Sequence, residues 1–357
     1  MADFLVRRDD PRDFRIDAGE PARTEVAEGT VQFTVERFGL TANNLTYAVF
    51  ADRWRYWDFF PAPEGWGRIP VWGFGRVEAS GVDGIEAGDR FYGYWPMSSR
   101  VTLHVDGDAA GFVESSAARR SLPAVYNRYL RAVPRTGFAP EHDDAAAVLR
   151  PLFLTGWLIA DQFEDEGDYG VQQILIASAS SKTAIGLGFA LGQRAERPET
   201  IGLTSAANVD ALAAQGIYDR VVSYDQIMTL NASTPAALVD MAGNGAVTRS
   251  VHSHFGNQLK ASIIVGKSHW DAQADVEGLP GPERQGFFAP GRSQKRITDW
   301  GGAAFGQKIA EAWLAFMDVA PRLASVDKRS GGDAALAAYR EMLSGQADPK
   351  QGIVVVP

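Results

Sequence analysis

The sequence predicts an α/β protein with a β-rich first part and a doubly wound parallel sheet after it. Three observations carry that prediction. Runs such as TVQFTV (residues 30–35) place an apolar side chain at every second position, the pattern of a strand with one buried face. From Gln173 on, short apolar runs alternate with helical stretches, the spacing of strands joined by crossover helices. The chain's 357 residues are also enough for two domains of ordinary size, each with a core of its own.

Composition narrows the class further. A hydrophobic content of 45% with 22% charged residues describes a globular chain rather than a disordered one. The net charge of −9 argues against a nucleic-acid surface, which relies on clustered Lys and Arg. Cysteine is absent, and with it disulfides, thiolate metal sites and cysteine nucleophiles. The opening MADFLVRRDDPRDF carries charges where a signal peptide needs an apolar stretch, and the apolar run Leu152–Ala160 is too short to cross a bilayer. The expectation is a cytoplasmic protein with no membrane and no nucleic-acid partner.

In the β-rich part, residues 71–78 (VWGFGRVE) set two glycines in an apolar run, as bulges or close backbone approaches require. Turn chemistry over Ser80–Arg90 then leads into a strand at Arg90–Trp95. Residues 106–147 read as an insertion: a polar loop, then a mixed helix around Leu122–Ala132 that ends at Pro134. Helices are expected over Asp144–Arg150 and Leu152–Phe163. The βα series follows, with strands at Gln173–Ala177, Thr200–Thr204, Arg220–Ser223, Ala237–Asp240 and Lys260–Val265. Its helices are expected over Thr183–Gly192, Asn208–Gln215, from Gln226 onward, and over Ala246–Phe255. Helices Ala303–Phe316 and Ala334–Leu343 and a strand Ile353–Val356 close the chain.

The stretch QILIASASSKTAIGLGFA (173–190) reads as strand, tight turn and helix, an arrangement that aims backbone N–H groups and a helix dipole at an anion. Glycines usually line such a turn. Here Ser178, Ser180 and Ser181 are small and bring hydroxyls, Lys182 adds a positive charge, Thr183 is a candidate helix cap, and Ala184 is small enough for close packing. The same residues also suit an ordinary serine-capped turn. A P-loop fits less well, because the glycines that motif requires are missing.

The order of these segments resembles the medium-chain dehydrogenase/reductase superfamily, in its zinc-free, quinone-oxidoreductase-like branch. Residues 39–46 (GLTANNLT) are similar to that family's Gly-x-Asn-x-x-Asp segment, with Asn43 at the asparagine and Thr46 replacing the acid. Residues 73–77 with 81–90 resemble its Gly-x-Gly-x-Val strand and Gly-Asp-Arg-Val turn. Residues 153–157 (FLTGW), with Thr155, resemble its Leu-Thr-Ala-Trp/Tyr helix. Residues 201–205 with 215–224 (QGIYDRVVSY) resemble its second nucleotide strand and the step after it, and residues 353–356 its closing strand. The resemblance implies a GroES-like β-rich catalytic domain, residues 1–150 and 318–357, and a Rossmann dinucleotide-binding domain, residues 151–317. Ser178, Ser181 and Ala184 would then stand where the family has glycine, and a homodimer would pair edge strands near Ile263–Val265.

For the cofactor, the stretch after the second nucleotide strand matters, since an acid there would bind the ribose hydroxyls of NAD. Thr204, Ser205 and Asn208 stand there, with no acid before Asp210, which favours NADP over NAD. Asn208 holds the place where relatives often have lysine, and Lys182 or Arg194 are the candidate substitutes. Zinc is not expected: residues 70–73 (PVWG) occupy the stretch where Gly-His-Glu-Gly would stand. His252 and His254, two apart on an expected helix, point to different faces, and His104, His142 and His269 are isolated. The resemblance therefore implies no metal.

Aromatic residues crowd the segment 47–66, which reads as a loop facing a small-molecule substrate or as plain packing. Tyr47 and Tyr56 are the candidate proton or hydrogen-bond donors, with Asn43 beside them. Residues 286–292 (GFFAPGR) set Phe287 or Phe288, of which Phe288 is taken, as a candidate nicotinamide contact, and Lys295 and Arg296 read as part of an exposed basic loop. The reading that results is a zinc-independent, NADPH-dependent oxidoreductase reducing an activated alkene or a quinone. Its rival is a dinucleotide-binding protein of the same fold without chemistry of its own.

Overall fold

Residues 173–177, QILIA, are apolar on both faces, and such a run is stable only as a central strand of a parallel sheet with helices on each side. The computed structural model of the chain places it there. It describes residues 3–241, 243–265, 278–323, 325–344 and 351–357, leaving out the side chains of residues 42 and 43. Asn43 therefore lies outside the described side chains, and His269 outside the described residues. Two compact units divide the chain: Met1–Pro151 with Arg296–Pro357, and Leu152–Lys295.

In chain order the strands of the first unit are β1 (Asp3–Arg7), β2 (Phe14–Asp17), β3 (Thr30–Leu40), β4 (Trp66–Gly67), β5 (Pro70–Ser80), β6 (Arg90–Pro96), β7 (Arg100–Asp108), β8 (Gly111–Glu114) and β9 (Arg128–Arg131). The second unit holds β10 (Gln173–Ala177), β11 (Glu199–Thr204), β12 (Arg220–Ser223), β13 (Ala236–Asp240), β14 (Leu259–Ile264) and β15 (Arg284–Gly286). The first unit resumes with β16 (Ser325–Ser330) and β17 (Gln351–Val356). The helices are α1 (Ala42–Val49), α2 (Ala51–Trp54), α3 (Asp143–Asp165), α4 (Lys182–Gly192), α5 (Val209–Ala213), α6 (Gly245–Phe255), α7 (Ala289–Trp300), α8 (Gly302–Met317), α9 (Ala320–Leu323) and α10 (Gly332–Leu343).

The first unit is built on a sheet of order β16-β17-β3-β5-β6-β9-β8-β7 in which β7 also pairs with β3. That extra pairing closes β3, β5, β6, β9, β8 and β7 into a barrel, which removes the open edges those strands would expose. Its interior is aromatic: Phe33, Phe91, Trp95, Phe112 and Tyr129 are fully buried, with Phe112 and Tyr129 stacked at 4.4 Å. Gly73 shows why β5 carries glycine, because a Cβ there would stand 2.1 Å from the Arg37 carbonyl oxygen beside a register shift against β3.

Two expectations for this unit fail. The helix expected over Leu122–Ala132 is a single 3₁₀ turn, Ala124–Tyr126, followed by β9, so residues 106–147 supply two barrel strands, β8 and β9, and the end of β7 rather than an insertion. The apolar spacing of Leu122, Tyr126 and Tyr129 mimics a helix, but β9 is too short for its alternation to show, and the Tyr129–Phe112 pairing across strands decides the outcome. The aromatic segment after Tyr47 is not a loop either. Helices α1 and α2 and a 3₁₀ turn over Tyr56–Asp58 carry it, with Arg55 left-handed between them.

The second unit is a parallel sheet of order β12-β11-β10-β13-β14-β15. Counted along the unit, that order runs third, second, first, fourth, fifth, sixth. The winding reverses between β10 and β13, and the turn after β10 therefore opens at the point where doubly wound sheets bind ligands. Helix α3 is continuous over both expected helical segments, with Pro151 inside it. A Cβ on Gly156 would lie 2.4 Å from the Leu187 amide nitrogen and 2.7 Å from the Thr183 carbonyl oxygen, so glycine is what lets α3 and α4 cross in contact. The strand expected to be an edge, β14, is covered by β15. Short strands such as β15, three residues long, leave no readable period.

Candidate functional site

The turn after β10 is the candidate site of the second unit. Ser178 has φ 55°, in the left-handed region that glycine normally fills, at the first of the three positions where a glycine was to be expected. The turn is tied from both sides. The Ser178 amide donates to the Tyr224 hydroxyl at 3.2 Å, and the Tyr218 hydroxyl donates to the Ala179 carbonyl at 2.8 Å. Ala179 and Ala184 are completely buried. Ser181, rather than Thr183, caps α4, its hydroxyl accepting from the Ala184 amide at 3.3 Å. Lys182 opens the helix, half-buried.

What remains is donor-rich. Among the described residues the Ser180 and Thr183 side chains have no hydrogen-bond partner, and both stand at the start of α4. The first N–H groups of that helix have no intrahelical acceptor, and its dipole adds positive character. These residues fit a pyrophosphate, which brings acceptors and negative charge and nothing else. Thr155 lies next to Gly156, where α3 touches the first turn of α4.

At the end of β11, Thr204 is buried and Ser205 exposed. The Asn208 side-chain amide donates to the Ser205 hydroxyl at 3.1 Å, forming a small polar turn without a carboxylate. Nothing negative in that turn opposes a 2′-phosphate. Arg194 cannot supply the cation there: it pairs with both carboxylate oxygens of Asp168 at 2.7 and 2.8 Å. It also follows the far end of α4, roughly 16 Å from the turn at 1.5 Å per residue.

The expected basic loop is β15 and the start of α7. Arg292 is buried and bonds Asp161 at 2.7 Å and Asp165 at 2.8 Å, and Lys295 joins Asp165 at 3.1 Å. Arg296 is buried too, pairing with Asp299 at 3.0 Å and lying 4.5 Å over the Trp300 ring. An apolar-to-charged helix of this kind looks like a loop when its cations are partnered by residues far away in sequence. Phe288, at the residue before α7, is 49% exposed, an unusual position for so large an apolar side chain.

The first unit holds a candidate region of its own, a cluster of tyrosines. Tyr47 and Tyr56 are each 5% exposed, and their rings lie tilted against each other with centroids 4.6 Å apart. The Trp72 indole donates to the Tyr47 hydroxyl at 3.3 Å, and the Tyr56 and Tyr126 hydroxyls share a bond of 3.3 Å. Tyr94 joins them, fully buried, with no hydrogen-bond partner for its hydroxyl among the described residues. Burial pushes the Tyr56, Tyr94 and Tyr126 hydroxyls above the usual tyrosine range, so they stay protonated donors at neutral pH. Tyr94, Tyr218 and Tyr224 are functional candidates that reading the sequence missed. For Tyr218 and Tyr224 the signal was present in residues 215–224, but nothing there showed that the rings reach back to the turn.

Among the described residues there is no group of three or more His, Asp or Glu side chains able to hold a metal, and no helix long and apolar enough to cross a membrane. His252 is committed elsewhere, with Nδ1 against the Pro280 carbonyl at 2.8 Å and Nε2 against the Ser262 hydroxyl at 2.9 Å.

A family model described as "Protein of unknown function (DUF2855)" matches residues 38–348. No curated protein matches the chain. Among solved structures it is similar to CurA from Vibrio vulnificus in complex with NADPH, with TM-score 0.60 at 14% identity over 99% of this chain and 97% of that one. It is similar to a mutant enoyl thioester reductase from Candida tropicalis, with TM-score 0.59 at 10% identity over 99% of each chain. It is also similar to the yhdH oxidoreductase from Salmonella enterica in complex with NADP, with TM-score 0.55 at 15% identity over 100% and 99%. These likenesses establish the fold: a GroES-like barrel and a Rossmann sheet, as in the medium-chain dehydrogenase/reductase superfamily that the sequence resembles.

Proposed function

The chain belongs to the DUF2855 family, and on that premise we propose that it is an NADPH-dependent, zinc-independent oxidoreductase that reduces an activated alkene or a quinone. The observation that carries the proposal is the turn at residues 178–184. It adopts a glycine-like conformation without glycine, keeps unpartnered hydroxyls, and opens at the switch point of a sheet whose relatives in fold include proteins solved with NADPH and NADP.

Bound NADPH would supply a hydride to the electron-poor carbon of the substrate. The chain's own residues do the rest. Ser180, Ser181, Lys182 and Thr183 at the start of α4 hold the pyrophosphate, with Ser178 and Ala184 shaping the turn. Thr155 lies beside it. Thr204, Ser205 and Asn208 accept the adenosine ribose and its phosphate without charge repulsion, and Phe288 offers an apolar face to the nicotinamide. Tyr47, Tyr56 and Asn43 are the proposed donors toward the substrate oxygen that gains negative charge. Because burial keeps the Tyr56 hydroxyl protonated, it can give a hydrogen bond or a proton at neutral pH.

Thermal shift with NADPH, NADH, ATP and an acyl-CoA, followed by NADPH oxidation over a panel of enones and quinones, tests the proposal. The expected result is stabilisation by NADPH above the other three and turnover with at least one acceptor. No stabilisation by NADPH would overturn it. A second reading, a dinucleotide-binding protein without hydride chemistry, is supported by the near-complete burial of Tyr47 and Tyr56. Tight NADPH binding with no turnover on any acceptor would select it.

A further inference from the structure

Arg150, on α3, is a buried cation with no acid beside it among the described residues. The residue is 5% exposed, and its only hydrogen bond among the described residues runs from Nη2 to the Thr136 carbonyl at 3.3 Å. Nη1 is buried without a partner among the described residues. Three rings surround the guanidinium, with centroids at 4.3 Å for Phe138, 5.3 Å for Trp313 and 5.7 Å for Tyr92. The Tyr92 hydroxyl is itself buried and unpartnered. The other deeply buried arginines are different: Arg119 lies 3.6 Å from Glu114, Arg292 bonds Asp161, and Arg296 bonds Asp299.

Ring faces attract a cation but do not satisfy its in-plane N–H groups. Burying a guanidinium without an acceptor is expensive, and native proteins seldom leave such donors unmet. Burial lowers the Arg150 pKa only to about 10, so the group is still charged at neutral pH. Two unmet donors, one of them cationic, inside an aromatic shell call for an anionic oxygen on a flat, apolar body.

We propose that Arg150 and Tyr92 form a binding site for the carboxylate of a planar aromatic or conjugated ligand, and that the substrate of the reductase bears such a group. The second half rests on the function proposed above; the binding site does not. Tyr92 connects the two, since its ring stacks on Trp72 at 5.7 Å and Trp72 donates to the proposed donor Tyr47. The carboxylate end would then be held at Arg150 while the conjugated end reaches the tyrosine cluster.

The test uses benzoate, with benzamide as its uncharged twin, titrated into the full-length protein by thermal shift and calorimetry. Benzoate is expected to stabilise the wild type and benzamide not. Arg150→Met should weaken benzoate binding at least about tenfold, because a charge-assisted bond is lost. The variant itself should melt no lower than the wild type, since an unpaired buried charge goes with it. Tyr92→Phe should weaken benzoate less. Arg150→Lys should retain part of the affinity, having the charge without the fork.

An unchanged benzoate response in Arg150→Met, or none in the wild type, overturns the site. A melting temperature that falls in Arg150→Met and Arg150→Lys alike, without any benzoate response in the wild type, assigns the arginine to packing and overturns it as well. NADPH turnover with no benzoate effect would sink this proposal and leave the reductase standing. Arg150-dependent benzoate binding in a protein that neither binds nor oxidises NADPH would do the reverse.

Discussion

Ser178 concentrates the argument at the scale of the residue. A left-handed φ costs a non-glycine residue about 1–2 kcal/mol, and the chain carries that strain in the turn proposed to hold a phosphate. Ser178→Gly should therefore be tolerated, changing stability by less than about 1 kcal/mol in urea melts, since relief of strain is offset by chain entropy. Ser178→Val should cost roughly 2 kcal/mol or more, and a stable valine variant would refute the strain. That a small residue was wanted at this position is legible in the sequence. The left-handed conformation is not, because it comes from the Tyr224 hydroxyl and the Leu203 carbonyl gripping the turn from another strand.

Elements show the same division at larger size. The βα series was legible because buried parallel strands are continuous apolar runs and each helix keeps a period. Segment 106–147 was not, since β8 and β9 are four residues each and exist only through pairing with β7 and β6. Helix α7 was hidden for a related reason: its charges are matched by Asp161 and Asp165 on α3, more than a hundred positions away. His252 on α6 offers a pH test of one such long-range tie. Burial holds its pKa below the ordinary 6.5, helped by Arg284 and opposed by the Pro280 carbonyl. The unfolded chain therefore takes up the proton first, and the stability from neutral His252 is complete above pH 6.5 and is lost as pH falls below it. Melting temperatures between about pH 7.5 and about pH 5.5 should fall more steeply for the wild type than for His252→Asn. Equal slopes would count against the buried, neutral histidine.

For the whole molecule, each unit has a hydrophobic core of its own, aromatic in the barrel and aliphatic around the parallel sheet. Calorimetry of the full chain should accordingly depart from a single two-state transition, and NADPH at a hundredfold excess over its Kd should add about 2.7 kcal/mol to the transition of the Rossmann unit. One sharp transition moved as a block would contradict this. By itself the sequence determined the class of fold, the order of the βα series, the lack of cysteine chemistry, and the place of the turn after Gln173–Ala177. All of these follow from periods and residue types that act within a few positions of one another. Packing between distant segments settled which cations meet acids and, among the described residues, which hydroxyls have no partner and that Arg150 has no acid. Those outcomes depend on which distant side chain happens to lie within about 3 Å, and no local pattern encodes that distance.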